Sequence, residues 1–180
     1  MKTEQLIKQI DEITIAFTSK CGHLTKDELN WKPDSSVWSI AQIIEHLIVI
    51  NSTYFPILAE IRNGSHQLPF VAKFGFLVNF FGKTILKSVH PDRRRKMKTF
   101  TIWEPSKSEI SADILKRFET HQSELKALIE NSTDLINSGT VISSPANKMI
   151  VYKLETAFEI IVTHELRHLE QAKEMREMLH

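Results

Sequence analysis

One cysteine, Cys21, leaves no partner for an internal disulfide, and it reads as a small residue near a helix end rather than a reactive thiol. Only 5 glycines and few alternations of apolar with polar residues leave little from which to build sheets. Residues Met1 to Gln5 carry no apolar run of the kind that opens a secretory signal, so the expected compartment is the reducing cytoplasm. A net charge of +1 excludes coating of nucleic acid as the role of the whole molecule. With 42% hydrophobic and 25% charged residues, the 180-residue chain has the composition of one globular domain, 1–180, with a full core.

Helical periodicity supplies most of the pattern. Leu6, Ile10, Ile13, Ile15 and Phe17 give a first helix over about residues 3 to 20, stopped near Gly22. Thr25 and Glu28 form a capping box for a short turn, and Ser39 and Gln42 form a second one that opens a helix running to about Asn63 with a kink at Pro56. Ser106 and Glu109 read as a third box, starting a helix that ends near Asn131. Residues 131–147 read as a loop, and a last helix runs from about Tyr152 to Met178. The fold class expected is all-α: a four-helix bundle with a long crossover between helices 2 and 3.

That crossover holds an unusual run. Phe70, Phe74, Phe76, Phe80 and Phe81 are interleaved with Lys73, Lys83 and Lys87, too charged to span a bilayer. It reads as a cover for one end of the bundle; a homodimer contact or an amphipathic helix on a membrane surface is the alternative, and membrane contact is not the expectation. The basic run from Pro91 to Lys98 reads as a solvated tether, with a polyanion site as the alternative.

Chemistry concentrates in the last helix. His164 and His168 are four apart, so both imidazoles can aim at one point. With 8 histidines, roughly 0.4 such pairs arise by chance, so the spacing needs support. The same residues read His-Glu-x-x-His, the zincin signature, which makes Glu165 a candidate general base or a support for the ligands. Against a protease, only twelve residues follow His168, the extended pattern's Gly and His are replaced by Gln171 and Glu174, and there is no strand to pair with a peptide. Read from their helices alone, His46 is a half-exposed side chain at the edge of an apolar stripe, and His121 faces the core as a satisfied histidine or a further partner of a metal.

The order of these signals, Trp31-x-Pro33, then Trp38-Ser39-Ile40 opening the helix with His46, then His164-x3-His168-x2-Gln171, resembles the DinB/YfiT-like superfamily. The resemblance implies a four-helix bundle with a three-histidine site, whose ligands here would be His46, His164 and His168; Gln171 and, from the reading of its own helix, His121 are candidate supporting residues. Glu170 stands where many relatives have glycine. Three neutral imidazoles suit Zn, Ni, Co or Fe(II) and leave positions for water or substrate. The resemblance therefore implies a metal-dependent hydrolase or a thiol S-transferase, acting on a small molecule, in the second case with a low-molecular-weight thiol. A non-catalytic dimeric or membrane-contacting bundle with a vestigial metal is the reading from another class.

Overall fold

A computed structural model describes residues 2–92 and 99–179. Residues 93–98 of the tether expected over 91–98 lie outside the described residues. The chain is mostly helical, with α1 at Lys2–Cys21, α2 at Lys26–Asn30, α3 at Ile40–Ser52, α4 at Tyr54–Arg62, α5 at Gly75–Val89, α6 at Ile114–Glu130, α7 at Thr133–Asn137 and α8 at Leu154–Glu177. Two short strands, β1 at Val141–Ser144 and β2 at Asn147–Lys153, pair antiparallel.

Four long helices make the core by closing a ring of contacts, in which α1 and α3 each pack against both α6 and α8. Leu6, Ile10, Ile13 and Phe17 present the inner stripe of α1, and Phe17 meets Phe118 of α6 edge-on with ring centres 5.0 Å apart. Ile40, Ile43, Ile44 and Leu47 face inward from α3, and Leu154, Ala157, Phe158 and Ile161 from α8. Ile15 breaks the expected stripe and is 66% exposed. It lies only two residues from both Ile13 and Phe17, about 200° around the helix, and so points to solvent when they point to the core.

Both of the first two capping boxes form, at Thr25 with Glu28 and at Ser39 with Gln42. The long second helix is broken at Thr53 into α3 and α4, because Pro56 has no N–H to give the Ser52 carbonyl one turn back. α4 and α7 end on Gly64 and Gly139, at φ 74° and 70°, with the following residue donating back to Glu60 and Leu135 respectively.

Two expectations need correction. The third capping box does not form: α6 starts at Ile114, and Ser106 instead donates its backbone N–H to Glu45 at 2.6 Å while Glu109 pairs with Lys26 at 2.7 Å. Residues 131–147 are not a plain loop but carry α7 and β1, and β2 then leads directly into α8. The hairpin escapes a periodicity test because Ile142, Ser143 and Ser144 are buried in succession and the register shifts between Ser143 and Ser144. The expected cover also has a definite seat, since α5 packs along β2 and α8.

Gly82 makes that seat close. A Cβ there would come within 3.0 Å of Thr156 Cγ2 and 3.3 Å of Tyr152 Cβ. Gly82→Val is therefore expected to pry α5 from α8 and lower stability by about 2 kcal/mol, or roughly 4–8 °C in a thermal melt. Gly75→Ala, where a Cβ meets nothing within 4 Å, should leave the melt within a degree or so of wild type.

Candidate metal centre

One face of α3 stitches the end of the crossover to the core. Gln42 Nε2 donates to the Ser106 carbonyl at 2.8 Å, and Glu45 accepts from the Ser106 N–H. His46, on the same face, hydrogen-bonds through Nδ1 to the Trp103 carbonyl at 2.7 Å. A carbonyl can only accept, so Nδ1 carries the proton and the Nε2 lone pair is left free for a ligand.

That ring meets the two histidines of α8. His46 lies 5.2 Å from His164 and 4.8 Å from His168, centre to centre, and His164 and His168 are 4.4 Å apart with Nε2 atoms separated by 3.0 Å. One ring nitrogen from each of the three falls within 4.8 Å of the others. Metal–imidazole bonds of about 2.0–2.1 Å place ligand nitrogens about 2.9 Å apart in an octahedron and about 3.3 Å in a tetrahedron, so the trio fits one ion with small ring rotations. Trp38 closes one side, 4.8 Å from His46 and near-parallel to His168 at 6.2 Å.

Burial sets the charge of the cluster. It lowers His46, with the Trp103 carbonyl opposing; it takes His164 down to about 3, helped by His46 and Arg167; and it holds His168 well below the ordinary range, helped by His164 and His46. All three are thus neutral at physiological pH, the form that binds metal. Exposed histidines would lose affinity as pH falls through about 6–7. Here zinc affinity is expected to hold to lower pH than it would for exposed histidines, because protons compete poorly for imidazoles already held neutral. A calorimetric titration series in which affinity falls steeply from pH 7 downward would contradict this.

The cluster opens onto a cavity of about 640 Å³. Ile50, Ile85, Val89, Ile150, Ile160 and Ile161 give it an apolar wall, and Tyr54 and Tyr152 join hydroxyls at 3.0 Å. Asn51 also lines it, with a buried Oδ1 that has no hydrogen-bond partner. Gln171 and Arg167 complete the polar groups nearest the histidines along α8, and the Arg167 guanidinium donates to the Ser88 carbonyl at 3.1 Å.

Two candidates sit elsewhere. His121 is buried against Phe55, ring centres 5.8 Å apart, outside the three-histidine group, and burial lowers it to about 4. Glu165 is fully buried in the core, accepting from Asn51 Nδ2 at 2.7 Å and Gln122 Nε2 at 2.9 Å. Its carboxylate is not part of the group that could share an ion, and burial raises it to about 7 against the two amides. Both of its oxygens are engaged in tying α8 to α3 and α6, which is not how a zincin base is placed. The Trp103 carbonyl and the tyrosine pair escape sequence reasoning, because each contact joins residues far apart in the chain.

Comparison with known proteins accords with this geometry. A solved structure described as "YfiT from Bacillus subtilis is a probable metal-dependent hydrolase with an unusual four-helix bundle topology" superimposes with a TM-score of 0.59 at 17% identity, over 98% of this chain and 87% of that one. At that identity the likeness is one of fold. No curated protein matches the chain. A model of the DinB superfamily matches residues 9–172, from the first turns of α1 through the second histidine of α8 and beyond, and the chain therefore belongs to the DinB superfamily.

Proposed function

We propose that this protein is a metal-dependent hydrolase of a small, largely apolar molecule, with a divalent ion held by His46, His164 and His168. The ring α1–α6–α3–α8 is then a single-domain four-helix bundle, and the chain between α4 and α6 is its long second-to-third crossover. One observation carries the reading: three neutral imidazoles from two distant helices converge at the wall of an apolar cavity. The free Nε2 lone pair of His46 and the facing Nε2 atoms of His164 and His168 cost free energy in such a place unless a shared ligand satisfies them. The family and the description of the structural neighbour as a probable metal-dependent hydrolase support the same choice.

A divalent ion in such a site polarises a carbonyl and makes water a nucleophile near neutral pH. The chain's own residues do the rest. Trp103 fixes the tautomer of His46, Trp38 packs over His46 and His168, and the isoleucine wall excludes bulk water and receives the apolar part of the substrate. Asn51 Oδ1 and the tyrosine hydroxyls offer hydrogen bonds to a polar end of that molecule.

The test is turnover. Zinc-, nickel-, cobalt- or iron-loaded protein should hydrolyse members of a panel of short-chain and aryl esters, lactones and amides, and His46→Ala should abolish it. Reaction only when a low-molecular-weight thiol and an electrophile are supplied together would replace hydrolysis with thiol transfer. Metal binding with no turnover in either screen would replace both with a non-catalytic bundle.

A further inference from the structure

Between Glu60 and Asp92 the chain has no acidic residue. In this interval lie a short 3-10 turn, Phe70–Lys73, and α5. The inner side of α5 is well used: Val78 and Gly82 are buried, and Ile85, Ser88 and Val89 line the cavity. The outer side is also apolar, and no described residue covers it. Phe70, Phe76 and Phe80 are 70, 69 and 60% exposed, and Phe74 is 40% exposed. Phe74 links Phe70 and Phe76 into one patch, with ring centres at 5.5 and 6.1 Å.

Cations surround the rings. Lys73 holds its ammonium 5.1 Å from the centre of the Phe70 ring, and Lys83 and Lys87 are exposed on α5. None of the three lysines forms a salt bridge among the described residues. β2, which packs against both the turn and α5, contributes exposed Lys148 and Met149. A helix that is apolar on both sides is ordinarily covered on both sides.

We infer that this face docks the protein onto an anionic lipid bilayer. Phenylalanine rings that project this far can enter the boundary between headgroups and acyl chains, while the lysines reach the phosphates. Charge complementarity selects this occupant. A second copy of the chain would bring the same lysines against one another, with no carboxylate anywhere in the interval to pair with them. No helix among the described residues is long and apolar enough to cross a membrane, so the contact is peripheral. Because the inner side of α5 lines the cavity, docking would leave the cavity one helix away from the lipid. The inference stands on the surface alone and does not depend on what the metal site does.

The test is co-sedimentation of the full chain with vesicles of phosphatidylcholine alone or mixed with phosphatidylserine, at low and high salt. Binding should require phosphatidylserine and weaken with salt. Charge reversal of Lys83 or Lys87 should cost about fivefold or more in partitioning, and Phe76→Ser with Phe80→Ser about tenfold or more. These residues are exposed, so the melting temperature should not move; if the serine pair does not fold, Lys83→Gln and Lys87→Gln provide the readout. No binding to phosphatidylserine vesicles at low salt would overturn the inference, as would binding indifferent to both sets of substitutions. So would concentration-dependent self-association in light scattering that the serine pair abolishes, which would assign the face to a second copy.

Discussion

Single replacement of His46, His164 or His168 with alanine is expected to remove most of the thermal stabilisation that added zinc or nickel confers. An ion that binds only the folded state contributes about 4 kcal/mol when present at a thousand times its dissociation constant. For a chain of this size that is roughly 8–16 °C. Loss of one of three ligands should weaken binding by more than about a hundredfold, since loss of a residue that merely orients a ligand already costs about 10–100-fold. At the same metal concentration the increment then falls to about 1.4 kcal/mol or less. His121→Ala is the control, because that ring is buried outside the cluster. It should lower the stability of the metal-free protein and leave the increment intact. Should His46→Ala keep the full increment while loss of Glu165 or a downstream acid removes it, the zincin-like arrangement replaces the three-histidine one.

Glu165 carries the second large effect. Alanine in its place leaves the Asn51 and Gln122 amides without their acceptor and opens a void between three helices. The expected cost is about 3–4 kcal/mol, measured by urea denaturation. Glutamine should be tolerated, because Asn51 Oδ1 and Gln122 Oε1 are buried and unpartnered and either amide can turn to accept from it. The sign of the pH dependence follows from the raised carboxyl, which moves from an ordinary 4.5 to about 7. A raised acid favours the fold fully below its unfolded value and loses that contribution as pH rises through the folded value. Glu165→Gln has no proton to lose there, so its stability relative to wild type should climb between pH 4.5 and 7 and level off higher by on the order of 3 kcal/mol. The lowered His121 and His164 act with the opposite sign, weakening the fold as pH falls below 6.5, but they are common to both proteins and cancel in the difference. A difference that does not vary with pH would show that the carboxyl is not held protonated.

How much of this was legible in the sequence depended on how local the cause was. The spacing of His164 and His168 and the boxes at Thr25 and Ser39 are settled within one or two turns of helix, and they read correctly from the sequence. The box at Ser106 satisfies the same local pattern and fails, because Glu45 on another helix takes the Ser106 N–H that the cap would have used. The hairpin has two short strands, a register shift and a serine-rich first strand, so it lacks the alternation by which strands are recognised. His46 looked like an edge residue on its own helix, and only the family resemblance pointed to it. Its orientation depends on a carbonyl 57 positions away. The burial of Glu165 depends likewise on amides from two other helices. Nothing in the neighbourhood of either residue encodes those partners.

The central claim is that His46, His164 and His168 hold one divalent ion. X-ray absorption at the metal edge tests it most directly, on untagged protein loaded with one equivalent of zinc. The expected result is a first shell dominated by three imidazole nitrogens at about 2.0–2.1 Å, with oxygen donors completing it, and the loss of one imidazole from that shell in His46→Ala. A shell containing sulfur, a shell with fewer than three imidazoles, or a spectrum unchanged by His46→Ala would contradict it.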